Sequence, residues 1–525
     1  MFQSHRKSLV AAIVLGSAFA NATLAAPGFE LAGSYSTGLA SGDGDLTSGE
    51  TSAVSGNRLF VTNASDVSLD IVDITDPSAP AFLERVDLSA YGASVTSVAA
   101  STDGLVAVVL DADNKVKRGR LVLLNRQGDV RGMRIVGPLP DMVTFSPDGT
   151  RLLVANEGEP DCYGPGCTDP FGSVSVIEVN VAQRRLGAVK KIGFGGTAVE
   201  DLPPGVRIFG PGATVARDLE PEYIAVSDDG SRAWVTLQEN NAVAALDLET
   251  LSVAGIVALG TKDHGVVGSG LDSSDRDGVI NIVPRERVRG MFMPDAIAQF
   301  SAGGKTYLLT ANEGDAREYD HPLDPAFDFA EEIRARSLAS SQPGVADIPG
   351  VSTDAELGRL NVTRFPPGGD TTKLYSYGAR SVTLWNADTG AVVWDSGDGI
   401  EQLIAERLPL DFNKSNDAND GFDSRSDNKG PEPEGVVVGE VDGTSYAFVG
   451  LERIGGVVVY DLSEPEAPVF SEFLINRDFS TATVGPDSGP EILKFVPAAQ
   501  SPNGKAMLVV SNEVTGTVSL WQPGS

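Results

Sequence analysis

Acidic residues recur at two positions of a repeating pattern. One set stands where an apolar run begins: Asp141, Glu220 and Glu222, Asp295, Glu432 and Glu434, and Glu491. The other follows a second apolar run, in loops rich in Asn and Glu: Glu157 and Glu159, Glu239, Glu313 and Asp315, Glu452, and Glu513. Carboxylates gathered at one place raise one another's pKa unless positive charge offsets the repulsion. Arg317, Arg380 and Arg453 are the candidates within the chain. A donor set made only of oxygen suits hard divalent ions, calcium above all, with iron, manganese or magnesium as alternatives. Outside the first 26 residues the only histidines are His264 and His321, so a zinc site of the usual type is not expected. If the chain is an enzyme, bound cations would polarise water, a carboxylate would act as base, and the three arginines would hold the anionic oxygens of a phosphate ester. The competing reading is a non-catalytic binding protein, in which cations only stiffen loops and the acids fix strand starts and turns through backbone hydrogen bonds.

Two other segments are dense in oxygen ligands. GLDSSDRDGVINI from Gly270 places Asp272, Asp275 and Asp277 before Gly278, the alternating spacing of a calcium loop without the closing Glu of the twelve-residue pattern. The segment from Asp411 carries Asp417, Asp420, Asp423 and Asp427 and reads equally well as a solvated surface loop. The two cysteines, Cys162 and Cys167, lie five residues apart in a Gly/Pro-rich stretch. A local disulfide staple is the expectation, and a thiolate at a metal the alternative. No nucleophile elbow, phosphate-cradling loop or dinucleotide fingerprint is present.

The elements that must position these groups are short strands. Helical periodicity is scarce, whereas alternating or apolar runs ended by Gly-containing turns recur throughout. A unit repeats from Asp141, Pro221, Pro294, Pro433 and Pro490, with weaker copies from Ser55 and Ser94. Each copy reads as acid, strand, hairpin, apolar strand, Asn/Glu loop, third strand. About seven such units predict an all-β fold, one β-propeller over 27–525 whose blades bury their faces against each other. The fifth blade has its first strands near 296–311 and its outer pair near 373–395, with a long insertion at roughly 317–372. That insertion holds the one expected helix, around 326–338, in a lid position. Ring closure is expected between a strand from Phe29 and the last strand near Val518 to Trp521, because an open edge invites aggregation.

Residues 1–26 read as a secretory signal peptide, with Arg6 and Lys7 ahead of an apolar stretch and small residues at the cleavage positions. The expectation is a periplasmic or secreted protein with no membrane span, acting as a monomer. The chain carries 72 acidic and 40 basic residues, a net charge of −32, and loss of the signal's two basic residues leaves 38 against 72, or −34. Such a surplus excludes nucleic acid and favours cations, with a small anionic substrate or an extracellular ligand as partner.

The runs FSPDGTRLLVANEGEP, LEPEYIAVSDDGSRAWVTLQENNAV, GLDSSDRDGVINI, FDSRSDNKGPEPEGV and GPEILKFVP resemble the choice-of-anchor I family of exported propellers across nearly the whole chain. The chain is similar also to mesenchyme-specific cell-surface glycoprotein-like proteins, and some relatives carry the label alkaline phosphatase. The resemblance implies site positions at Glu157, Glu159, Glu220, Glu222, Glu313, Glu432, Glu434, Glu491 and Glu513, without roles. Family members commonly end in a surface-sorting tail; this sequence ends at SLWQPGS, which predicts release or periplasmic residence. Calcium-dependent propeller phytases and calcium- and iron-containing propeller phosphatases are similar in architecture only, and no residue is transferred from them.

Overall fold

The computed structural model describes residues 27–39 and 48–524. The expected signal peptide, 1–26, lies outside the described residues. The chain is all-β, and seven of its sheets have four antiparallel strands. Their first strands are Ser48–Ser55, Ser94–Ala100, Pro140–Phe145, Ile224–Val226, Ile297–Ala302, Pro433–Val441 and Pro490–Val496. Each of these packs against the first strand of the next sheet, and Pro490–Val496 packs back onto Ser48–Ser55, so the sheets form a closed β-propeller ring.

Burial explains the sequence pattern. The strand Leu105–Asp111 is buried along both faces up to its last residue, and its sequence LVAVVLD is a continuous apolar run. The outer strand of the preceding sheet, Ala81–Asp87, is largely exposed and carries charged residues. Fully buried Phe60, Leu121 and Phe448 anchor the contacts between sheets, each contributing roughly 1.5–3 kcal/mol by burial. The hairpins are closed by side chains: Asp148 accepts from Ser146 Oγ at 2.6 Å and from the Thr150 amide at 3.0 Å. Gly149 between them sits at φ +71°, a conformation that glycine adopts without strain.

Ring closure follows the sequence expectation. Phe29–Ser36 pairs antiparallel with Thr517–Pro523, setting Leu31 opposite Trp521 and Tyr35 opposite Val518. Tyr35 Oη then donates to Asp70 Oδ2 at 2.7 Å in the neighbouring sheet.

In the sheet that begins with Ile297–Ala302, the second strand is Lys305–Asn312 and the third is Ser381–Asn386. The strand Leu374–Ser376, expected as part of that sheet's outer pair, instead pairs in parallel with Val288–Met291. The intervening chain builds a small core of its own from Leu338, Val345, Ile348 and Leu360, shared with Leu271 and Val288. The helix expected at 326–338 is not there: the helix is Ala335–Ser341, preceded by the strands Phe329–Ala330 and Glu332–Arg334. Tertiary pairing overrides helix propensity at this point. Phe329 is buried in an aromatic cluster, and Glu331 is buried between Arg207 and Thr363 Oγ1, the latter at 2.7 Å. Two further helices, Val215–Asp218 and Gly399–Arg407, were not expected.

Candidate functional site

Two local devices place the repeated acids. In an antiparallel sheet the start of the first strand and the end of the second lie at the same end, as the pairs Pro140 with Asn156, Pro433 with Leu451 and Pro490 with Asn512 show. After each proline the register skips, leaving two residues opposite one: a β-bulge that begins with Asp141, Glu434 or Glu491. At the second strand's end, buried Asn156 donates to Ser173 O at 2.9 Å and accepts from the Gly137 amide at 2.7 Å. Asn312 likewise donates to Thr383 Oγ1 at 2.7 Å. The asparagines lock the strand ends, and the glutamate that follows each stands at the mouth of the ring.

Three of these acids converge. Glu313, Glu434 and Glu452 bring one carboxylate oxygen each to within 4.8 Å of one another. They are only 8%, 8% and 5% exposed. Gln238 Nε2 donates to Glu313 Oε2 at 3.0 Å, Lys429 Nζ binds Glu313 Oε1, and Asn416 Nδ2 donates to Glu452 Oε1 at 2.8 Å. Glu434 Oε2 is buried without a hydrogen-bond partner, as are Glu222 Oε2 and Glu239 Oε2 nearby.

The electrostatics record the crowding. Burial first, and then the charges of Glu452, Glu491, Glu313 and Asp295, push Glu434 well above the usual carboxylate range. Burial likewise raises Glu222, Asp295, Glu157 and Glu491, each with further carboxylates adding to the shift. Glu452 is pushed up to about 8 by burial, with Arg453 pulling back and Glu432 and Glu313 adding to it. Burial raises Asp141 and Glu239 to about 7. Buried oxygens of this kind, some of them orphaned, are the donors a hard cation takes, so the residues present fit a divalent ion.

Other expected site residues are engaged elsewhere. Glu220 is held by Arg317, whose Nε and Nη2 reach Glu220 Oε2 at 3.0 and 2.7 Å while Nη1 reaches Asp218 Oδ1 at 2.9 Å. Burial disfavours both charges: at Glu220 it outweighs Arg317 and leaves the carboxyl well above the usual range, whereas at Arg317 the surrounding Glu220, Asp218 and Glu239 overcome it and hold the guanidinium above its ordinary range. Burial is overcome at Glu432 too, where Lys429, Arg453 and Arg425 hold the carboxyl well below the usual range. Glu159 binds Lys115 Nζ and Tyr319 Oη, both at 2.7 Å. Asp315 is exposed beside Glu313. Glu513 bears on the charge of Glu491. Arg380 lies away from this cluster, binding Glu401 Oε1 at 2.8 Å and the carbonyls of Asp272, Ser426 and Asn428 at 2.6–2.7 Å. Arg453 binds Glu432 Oε2 and Glu452 Oε1, both at 2.9 Å. In the expected calcium loop, Asp275 is paired with Arg359 and Arg276, whereas Asp272 is fully buried and Asp277 half-buried. Cys162 and Cys167 form a disulfide with Cα atoms 5.2 Å apart, which removes the thiolate alternative.

The choice-of-anchor I domain matches residues 51–465. The chain belongs to that family. Gigasin-3a of Magallana gigas is 34% identical over 194 residues, covering 33% of this chain and 67% of the relative. A mesenchyme-specific cell surface glycoprotein of Strongylocentrotus purpuratus is 29% identical over 281 residues, covering 48% of this chain and 36% of its own length. Among solved structures, Kuenenia stuttgartiensis hydrazine synthase overlaps with a TM-score of 0.45 at 14% identity, covering 93% of this chain and 98% of the other. The Myceliophteria thermophila Cps50 (Swd1) β-propeller domain overlaps at 0.41 and 10%, covering 94% and 100%. No residue is transferred from either. Within this choice-of-anchor I chain the family match includes Glu313, Glu434 and Glu452 and stops short of Glu491.

Two members of the acid set escaped sequence reading. Glu50 lies in the irregular register after Ser48 and adds its charge to Glu491. Asp111 pairs with Ser94 at the position that Asn156 holds in the next sheet, and burial, with Asp141 and Glu159, pushes it up to about 7. Aligning the second-strand ends on their asparagines would have found Asp111. Gln238 and Lys429, which bind Glu313, carried no such signal.

Proposed function

We propose that this chain is an exported, seven-bladed β-propeller, its fifth blade interrupted by the segment between Asn312 and Ser381, that holds a divalent cation at its acidic mouth. Glu313, Glu434 and Glu452 are the ligands, and an all-oxygen set of this flexibility favours calcium. The observation that carries this reading is the meeting of three buried carboxylates with the orphaned oxygen of Glu434. Export, to the periplasm or outside the cell, is supported by the family and by a relative named as a cell surface glycoprotein. Among the described residues no helix is long and apolar enough to cross a membrane. Glu434→Gln should weaken calcium binding on the order of 100-fold, because one charged donor is lost from a site defined by its charge count. Equilibrium dialysis of the full chain with calcium checks this, and unchanged affinity would remove Glu434 from the site.

Phosphoester hydrolysis at that ion is the second reading, favoured by one observation: the Arg453 side chain, 24% exposed beside Glu452, is a basic group that solvent can reach there. A bound ion would supply charge neutralisation and polarisation of water. Arg317 and Arg380 are committed to buried partners and are not offered as substrate-binding groups. Chelator-sensitive turnover of p-nitrophenyl phosphate or of a phosphodiester is the test, and none on either ends this reading. The non-catalytic alternative would use the other end of the same first strands, where a cavity of about 540 Å³ is lined by Ser55, Ser101, Thr144, Ser146 and Lys494.

A further inference from the structure

We infer that the outer strands of the second and third sheets form a docking surface for a linear acidic polysaccharide, one that carries carboxylate or sulfate groups along an extended chain. These strands are Val130–Pro138 and Arg185–Gly193, each the last strand of its sheet. The surface goes beyond the cation reading of the mouth and does not rest on it.

Charge is segregated here against the trend of the whole chain. Residues 114–138 hold seven bases against Asp129 alone, and residues 181–199 hold four bases and no acid. Together they carry eleven of the 40 basic residues and one of the 72 acidic ones. Arg118, Arg184, Arg185, Lys190 and Lys191 are exposed. Carboxylates nearby are taken by other bases: Asp113 by Lys117, Asp129 by Arg131 and Glu159 by Lys115. Glu178 is the one acid in the outer pair of strands of the third sheet. Charge is a common way to blunt an exposed sheet edge, so the other outer strands are the comparison. Ser252–Ala258 has no charged residue, and Phe29–Ser36, Val392–Asp395 and Val469–Leu474 carry one acid each. The single base of Ala81–Asp87, Arg85, is spent on Asp70 at 2.6 Å. Edge protection in this fold therefore does not call for unpaired bases.

Packing joins the two strands into one surface. Val136 and Leu186 are buried together between the sheets. Arg134 crosses the seam, its Nε donating to Gly187 O at 2.6 Å and its Nη2 to Leu186 O. Arg118 Nε donates to Val136 O at 2.8 Å. These carbonyls satisfy the donors and leave the guanidinium charges without a counter-charge. Burial, and then the charge of Arg118, lower Lys191 from its ordinary value, as a like charge across the seam does. From Arg185 to Lys191 is six residues, about 20 Å of extended strand. Bases set in a line, rather than around a pocket, match a ligand whose negative charges also lie in a line.

The remainder of the molecule selects among anionic ligands. Charge acts over about 8 Å at physiological ionic strength. A thin polymer lying on the seam therefore meets the bases, whereas a membrane plane also meets the surrounding surface of a chain whose net charge is −32. Neither strand carries an aromatic side chain on which a nucleic acid base could stack.

Fluorescein-labelled dextran sulfate and polygalacturonate, with uncharged dextran as control, are titrated against the full chain in chelator at about 0.15 M salt and followed by anisotropy. At least one of the two acidic polymers should bind, and uncharged dextran should not. Replacing Arg184, Arg185, Lys190 and Lys191 together by Ala should weaken binding on the order of 30-fold, as the loss of four exposed charge pairs does, with the melting temperature unchanged. A second variant removes the same net charge elsewhere, at exposed Lys305, Arg336, Arg364 and Arg407, and should keep the native affinity. Binding of neither acidic polymer overturns the inference, and so does an equal loss in the two variants, which would reduce the effect to net charge. Binding that needs calcium and survives the four alanines would put the polymer at the mouth and overturn this surface. Two other results would also overturn it, if no polymer binds: capture of phosphatidylglycerol–phosphatidylcholine vesicles through the same four bases, or self-association of the native chain that the four alanines abolish.

Discussion

Arg317→Ala is expected to cost about 3–5 kcal/mol of folding stability, the largest effect of any single substitution at the mouth, since it strands buried carboxylates without a partner. Arg317 serves Asp218 and Glu220 together and places its guanidinium 4.8 Å from the centre of the Phe209 ring. These contacts tie the segment after Asn312 to the stretch just ahead of the fourth sheet, while the Arg317 amide donates within its own segment to Glu331 Oε2 at 3.2 Å. Lysine keeps the charge but cannot fork between two carboxylates, so Arg317→Lys should recover only part of the loss. Denaturant unfolding at saturating calcium measures both. A loss below about 1 kcal/mol for the alanine variant would mean that the pair behaves as an exposed one.

The metal-free protein should lose stability as pH rises from about 4.5 to 8, and calcium should remove that slope. Glu452 is raised from its ordinary 4.5 to about 8, and Asp141 and Glu239 to about 7. A carboxyl with a raised folded-state pKa keeps its proton when folded and gives it up when unfolded across that window. The unfolded state therefore binds fewer protons, and stability falls with pH. Each unit of such a shift corresponds to about 1.4 kcal/mol, so several together make a large effect. Glu432 works the other way: its carboxyl is held low by Lys429, Arg453 and Arg425, so its contribution is present above about 4.5 and is lost on acidification. Thermal melts in chelator across pH 4.5 to 8.5, repeated with calcium, read this directly. A flat profile in chelator would show that the acids are already neutralised by the protein's own bases.

The repeats made the ring legible. Proline, acid, strand, hairpin and Asn/Glu loop are local chemistry, and each recurs where the local structure requires it. The partition of the acids was not legible, because neighbours in sequence belong to different surroundings. Glu432 and Glu434 are two residues apart, yet the first meets Lys429, Arg425 and Arg453 and the second keeps an orphaned oxygen. Glu220 and Glu222 divide in the same way, one onto Arg317 and the other into the acid cluster. The arginines expected to hold substrate carried no mark of being committed to buried carboxylates, since Arg380 and Glu401 meet across a helix that was not foreseen. The misplaced helix has the same cause: Glu331 looks like a helix former until Arg207, 124 residues earlier, is placed beside it.

On the proposed reading, protonated, crowded carboxylates at the mouth exchange protons for a divalent ion. Calcium titration of the chelator-treated full chain by calorimetry at pH 7, in two buffers of different ionisation enthalpy, counts those protons. The account predicts saturable calcium binding that releases about one proton or more per ion, with both the binding and the release reduced in Glu434→Gln. Binding heat that is absent, or that is identical in Glu434→Gln and independent of buffer, would contradict it.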